Sequence, residues 1–321
     1  MGVTVQESPS RRGRLSDPPS DRTLRRVAIA SLVANVGIVA TGGAVRLTGS
    51  GLGCPTWPRC TDESYVAHGA LGFHGAIEFG NRLLTFALAA VAATTLLVVW
   101  RARPTVALRR RLALALAIGV PAQALLGGLT VLADLNPWIV AGHLLLSMAM
   151  ISLAVVLLHD LRVPPPTPAP RALRLLGLVI YAVTWLVLYL GTVVTGSGPH
   201  AGDAASPRNG LDPAAMSQLH ADGVFLLVGL TVGAVFAARV AGRPTTARAA
   251  SWLLAVELAQ GVIGFVQYAT NLPILLVELH LLGACATVAA ATALLLSVPR
   301  PGAAAQPTRG SMATARNSSA R

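Results

Sequence analysis

Eight predominantly apolar runs, each about twenty residues or longer, leave this chain few ways to fold: about 27–46, 75–100, 112–132, 138–158, 173–195, 215–238, 249–269 and 273–298. A hydrocarbon layer about 30 Å thick is crossed by roughly 20 helical residues, so each run can span a bilayer. Lipid offers no partner to a backbone amide, which restricts spanning segments to helices or closed barrels. The unbroken apolar runs lack the alternation that barrel strands need. The expected fold class is therefore an all-α polytopic membrane protein with eight transmembrane helices. A composition 54% hydrophobic and 12% charged agrees. The net charge of +12 comes from arginine alone, as the chain has no lysine. Those arginines sit in short loops and tails, where topology explains them, so nucleic acid is excluded as a partner and membrane lipid is the expected surroundings.

Charge counts predict the orientation. The segments after the second, fourth and sixth runs hold eleven arginines: Arg101, Arg103, Arg109, Arg110, Arg111, Arg162, Arg171, Arg174, Arg239, Arg243 and Arg248. The opposite side holds Arg46, Arg59 and Arg208, with Arg82 at the margin. This asymmetry predicts a multi-pass protein of the cell membrane with both termini cytoplasmic. Residues 1–24 and 299–321 are polar and read as disordered cytoplasmic tails, the first being no signal peptide.

The chain also resembles itself. "QALLGGL" and "QGVIGFV" share a Q-x-x-x-G spacing at Gln123 to Gly127 and Gln260 to Gly264, and a histidine follows each glutamine by twenty residues, His143 and His280. "VRLTGSGLG" is matched by "VVTGSGPHAG". Small residues at helix interfaces are common for packing reasons, but the shared order indicates a duplicated four-helix unit. Two tandem four-helix bundles follow, related by pseudo-twofold symmetry about the membrane normal: 25–160 and 173–298, joined by a cytoplasmic linker at 161–172.

Counting back from the first cytoplasmic arginine of each even-numbered helix measures depth. His143 lies 19 residues before Arg162, His220 19 before Arg239, His280 20 before Arg300 and Asn81 20 before Arg101. At about 1.5 Å per residue the four share one layer roughly 28–30 Å from the inner boundary. A lone membrane histidine is usually a packing or hydrogen-bonding residue, but three at matched depth on duplicated helices are not explained that way. Two imidazoles facing across a bundle can hold heme iron, whereas zinc or copper sites usually gather three or four ligands. Cys54 and Cys60 flank "PTWPR" in the first external loop, a spacing that a disulfide can bridge; two free thiols or a redox-active pair are the alternatives. Cys285, among Ala and Leu, reads as a small core residue.

The strings "GGAVRLTGSGLGCPTWPRC" (42–60), "IEFGNRL" (77–83), "QALLGGLTVL" (123–132), "GTVVTGSGPHAGD" (191–203) and "QLHAD" (218–222), together with His280, resemble the heme A synthase family in order over about 27–298. The resemblance implies an oxidoreductase that converts heme O, its substrate, into heme A by oxidising the ring-D (C8) methyl group to a formyl group through two successive hydroxylations. It further implies a heme b in the C-terminal half with His220 and His280 on its iron, and a substrate heme site in the N-terminal half. The residues matching the family's external cysteine pair and helix-two carboxylate are Cys54, Cys60 and Glu78. A heme O synthase (protoheme farnesyltransferase) and the assembly of an aa3-type cytochrome oxidase are the implied partners.

One departure stands on the second helix, where the family pattern E-x-x-H-R reads Glu78-x-x-Asn81-Arg82. An amide is a poor iron ligand. Either His74, on the same face but about 10 Å further out, joins His143 at the substrate iron, or His143 holds it alone. Glu78 is the expected catalytic group, exchanging protons with the substrate, with a salt bridge to Arg82 as its plainer alternative. Arg82 and Arg46 suit the propionates of a porphyrin, or are interfacial arginines with no such task. A di-heme membrane carrier oxidising quinol and a repeat-built transporter are the other functional classes. The first would not need Glu78 or the cysteine loop, and the second usually has broken helices and a midplane site.

Overall fold

A computed structural model describes residues 18–161 and 168–298. Eight α-helices carry nearly all of them: α1 (Asp21–Leu47), α2 (Gly72–Arg101), α3 (Ala107–Leu132), α4 (Pro137–Asp160), α5 (Arg171–Ser197), α6 (Pro213–Val240), α7 (Pro244–Ala269) and α8 (Ile274–Leu296). All eight are long and apolar enough to cross a membrane, and no strand occurs among the described residues. Polar residues set several starts. The Asn136 side chain accepts from Trp138 N with Pro137 in the first turn, and Asp212 accepts from Ala214 N ahead of Pro213.

One boundary differs from expectation. α1 begins at Asp21, six residues before the apolar run, because Ser20 accepts a hydrogen bond from Thr23 N and Asp21 suits the positive end of the helix. Residues 21–24 are thus helical rather than tail. The rest of that tail, most of the 161–172 linker and the 299–321 tail lie outside the described residues.

Neighbouring helices form two rings. α1 packs on α2 and α4, and α3 closes the ring between them; α5, α6, α7 and α8 repeat that pattern. The rings meet through α1, α4, α5 and α8. One apolar cluster fills the first ring (Leu88, Leu116, Met150, Leu157), another the second (Ile180, Leu227, Leu253, Leu294). A third, with Val39, Met148, Ile151, Cys285 and Val288, lies in the seam, where Cys285 has the core role expected of it. Large apolar side chains such as Val33, Phe86, Leu125 and Phe236 are exposed. Such a surface suits lipid, in which outward-facing leucines lose nothing.

The α3–α4 and α7–α8 hairpins turn alike. Asp134 and Leu135, then Asn271 and Leu272, all have φ between 50° and 60°. Leu135 N donates to Thr130 O at 2.8 Å, and Leu272 N to Gln267 O at 2.7 Å. Consecutive left-handed non-glycine residues are rare, and both hairpins have them.

Candidate functional site

In the second ring, His220 on α6 and His280 on α8 meet with ring centroids 6.4 Å apart and planes at 76°. Each imidazole lies against a glycine of the adjoining helix. A Cβ on Gly191 would come within 3.2 Å of His220 Cε1, and one on Gly264 within 3.5 Å of His280 Cε1. The glycines let a ring stand between helices that would otherwise close on each other. His220 Nδ1 is 3.1 Å from Val187 O; if it donates there, Nε2 keeps its lone pair for a ligand. His280 Nδ1 is buried with no hydrogen-bond partner. A bond from imidazole nitrogen to metal is about 2 Å long, so rings holding one metal from opposite sides have centroids roughly 6 Å apart. The 6.4 Å separation of the pair matches that spacing, so these two residues fit a bis-imidazole iron.

The first ring is built on the same plan with one member changed. His143 on α4 packs on Gly127 of α3, whose Cβ would lie 3.1 Å from His143 Cε1, and His143 Nδ1 is likewise buried without a partner. Gln123 ties α3 to α4 beneath it, donating to His143 O at 3.1 Å and Ser147 Oγ at 2.7 Å. Asn81, at the position of His220, is held by α1: its Oδ1 accepts from Thr41 Oγ1 at 2.7 Å. His74 lies further out, exposed, with Nδ1 2.9 Å from Ser50 Oγ and its ring edge-on to Phe73. Its Nε2 is the nitrogen left for any other role.

Above this ring lies the loop closed by the Cys54–Cys60 disulfide, both cysteines fully buried. Glu78, only 5% exposed, accepts from Cys54 N through Oε2 at 2.6 Å and pairs through Oε1 with Arg82 Nη2 at 2.6 Å. Arg82 then reaches the loop itself, donating to Cys54 O, Thr56 O and Arg59 O at 3.0–3.1 Å. A carboxylate satisfied by a backbone N–H and a guanidinium is well placed in a low-dielectric setting, since both bonds are charge-assisted. Two close approaches complete the seat. A Cβ on Gly53 would overlap His74 O at 2.3 Å, and one on Gly128 would overlap the Trp57 ring at 2.4 Å.

Trp57 and Gly128 were not singled out by sequence reasoning, although the paired glycines of "QALLGGL" were a signal. Gly127 admits the His143 ring and Gly128 the Trp57 indole. Where α7 has no such loop above it, the second glycine is replaced by the outward-facing Phe265. Gly128→Leu should unseat Trp57, since overpacking costs about 1–3 kcal/mol. Tryptic cleavage after Arg59 in lipid nanodiscs is then expected to speed up about tenfold; an unchanged rate would mean that the loop does not rest on this glycine.

The arginines expected near propionates both hold backbone carbonyls, Arg82 in the loop as described. Arg46 crosses to the other ring, its Nε donating to His200 O at 2.7 Å and Nη2 to Thr195 O at 3.2 Å. Gly51 N donates to Gly202 O at 2.8 Å, which joins the loops after α1 and α5 across the two rings, and His200 Nε2, 2.9 Å from Leu272 O, ties the loop after α5 to the α7–α8 turn.

Residues 25–208 match the family model COX15-CtaA, described as cytochrome oxidase assembly protein. A heme A synthase of Symbiobacterium thermophilum is 27% identical over 272 residues, covering 76% of this chain and 85% of that protein. A heme A synthase of Bacillus licheniformis is 26% identical over 185 residues, covering 54% of this chain and 59% of that protein. The matched family segment contains the disulfide loop, Glu78, Arg82 and His143, and the longer alignment extends well beyond the first ring. With more than half of its length inside that model, the chain belongs to the COX15-CtaA family of cytochrome oxidase assembly proteins, the heme A synthase family that its motifs resemble.

Proposed function

We propose that this protein is a heme A synthase, an oxidoreductase that converts the ring-D (C8) methyl group of heme O to a formyl group. The 6.4 Å pairing of His220 with His280, with a matched lone histidine in the other ring, carries this reading. The pair would hold heme b, which supplies an electron-transfer centre when bound. His143 would hold the substrate heme in the first ring, with His74 Nε2 as the candidate on its other side.

The chain's own groups supply position and proton transfer. Glu78 is the candidate proton-exchanging group, and its bond to Cys54 N couples that carboxyl to the disulfide loop. Trp57, seated on Gly128 beside the glycine that touches His143, would close the substrate site from outside and exclude water. Arg82 acts in this reading through the loop that it anchors. Overall, R–CH3 and one water would become R–CHO with loss of four electrons and four protons, by two hydroxylations and dehydration of the gem-diol; the electrons would leave one at a time through the heme b held by His220 and His280 to an external electron acceptor, and Glu78 would pass on protons.

A di-heme quinol-oxidising carrier could also use paired histidines, but it has no need of a carboxylate bound to a cysteine loop. Placement in the cell membrane with both termini cytoplasmic, receipt of substrate from a heme O synthase and delivery toward an aa3-type oxidase belong to the same proposal. Pigment extraction from cells expressing this chain with a heme O source tests it. Heme A should accumulate, and quinol oxidation with heme O unchanged would favour the carrier. In that assay His74→Ala is expected to lower heme A yield at least tenfold; full yield would assign the substrate iron to His143 alone.

A further inference from the structure

Glu257 takes no part in the function described above. It lies near the middle of α7, thirteen residues from its start and twelve from its end, and is 3% exposed. Its Oε1 accepts from Thr231 Oγ1 on α6 at 2.9 Å, and Thr231 is fully buried. Its Oε2 is buried without a hydrogen-bond partner. A half-satisfied carboxyl at this depth is costly, and intramembrane acids are retained mainly where they act on ions, protons or cofactors.

The repeat supplies an internal control. The interval that relates Gln123 to Gln260 and His143 to His280 relates Val120 to Glu257, and the interval from Asn81 to His220 relates Ala92 to Thr231. Val120 and Ala92 are buried and belong to the apolar cluster of the first ring. Helix packing at this height is therefore met by two apolar side chains. The polar pair occurs in the ring that has the paired histidines.

Glu257 lies seven residues from Gly264, the glycine against His280, on the same face of α7 and about 10 Å toward the cytoplasmic side. Gln260, between them, packs directly on Gly283 of α8, one turn from His280. In a low-dielectric interior a charge change over such a distance is weakly screened.

We propose that Glu257 is a redox-linked proton acceptor: when the iron held by His220 and His280 gains one electron, the Glu257 carboxylate takes one proton from the aqueous phase and becomes the acid. The electron comes from the substrate during turnover, or from an added reductant in a titration. The proton offsets the new charge, so the centre is easier to reduce at low pH. This rests on the heme b assignment above.

The titratable or charged groups on α6 and α8, the helices packed on α7, are His220, Asp222, Arg239, Glu278, His280 and Cys285 among the described residues. Asp222 and Arg239 lie nine and eight residues from Thr231, in opposite directions. Glu278 lies beyond His280, with its Oε2 against Gly43 of α1, and Cys285 packs in the seam between the rings, against α1 and α4. On α7 itself Arg248 is nine residues away. Thr231 is the polar contact that Glu257 makes.

The test is a spectroelectrochemical titration of the heme-loaded full chain in nanodiscs, from about pH 5.5 to 8.5, for wild type, Glu257→Gln and Glu257→Val. Glutamine keeps the shape and cannot titrate, while valine copies the first ring. The wild-type midpoint potential should fall with rising pH through a transition that both variants lack, with the bis-histidine spectrum unchanged. Equal pH dependence in wild type and variants overturns the proposal, as does a wild-type potential indifferent to pH. Loss of heme from both variants alone would make Glu257 a structural residue and also overturn it. Absence of a heme spectrum in wild type would instead remove the heme b assignment itself.

Discussion

His280→Ala, or His220→Ala, should abolish the low-spin bis-imidazole heme spectrum of the purified protein and weaken heme retention by more than a hundredfold. The two rings stand at the spacing of a shared iron, and each is fitted against a glycine that leaves room for an imidazole and little else. Losing a group that merely orients a ligand costs about 10–100-fold in metal affinity, and losing the ligand itself costs more. Alanine also leaves a ring-sized gap, between α7 and α8 for His280 and between α5 and α6 for His220, which adds to the loss. His143→Ala is the control, because His143 belongs to the other ring of helices: the low-spin spectrum should persist while heme A formation stops. Retention of the spectrum in both the His220 and His280 variants would end the ligand assignment.

Glu78→Ala is expected to lower heme A formation by at least a hundredfold, within the usual range of about 10²–10⁴ for a lost acid–base group. Position and proton exchange are confounded in that variant. Alanine strands the Cys54 N–H and leaves Arg82 without its anion, and each broken charge-assisted bond is worth about 1.5–3 kcal/mol. Glu78→Gln separates the two roles, because its amide oxygen can still accept from Cys54 N but carries no exchangeable acid proton. Activity lost with Arg59 still protected from trypsin would identify proton transfer as the role of Glu78. Activity retained in Glu78→Gln, but lost in alanine together with the loop's protection, would make Glu78 a residue that positions the loop.

Much of the architecture was legible from local rules. Eight spans appear where apolar runs predicted them, and the repeated Gln, Gly and His spacings reappear as matching hairpins with the same left-handed turn. The α1 start was misread because its first turn is polar: hydropathy marks the buried length of a helix, whereas Ser20 and Asp21 begin it by capping. Arg82 shows a second kind of difficulty. Its place near one end of an apolar span was readable, but whether it faced a propionate, Glu78 or the loop depended on where the loop lay.

The sequence alone determined the number of spans and their approximate extents, and it set the expectation of a common height for Asn81, His143, His220 and His280. These are one-dimensional quantities, set by a constant rise per residue and by the apolar length that lipid demands. Tertiary structure decided which groups meet: His220 with His280, Asn81 with Thr41, Glu78 with Cys54 N and Arg82, Trp57 with Gly128, and Glu257 with Thr231. Such contacts depend on how each helix is turned about its axis and on the path of the loops. Packing between segments far apart in the chain sets both, and no local pattern encodes it.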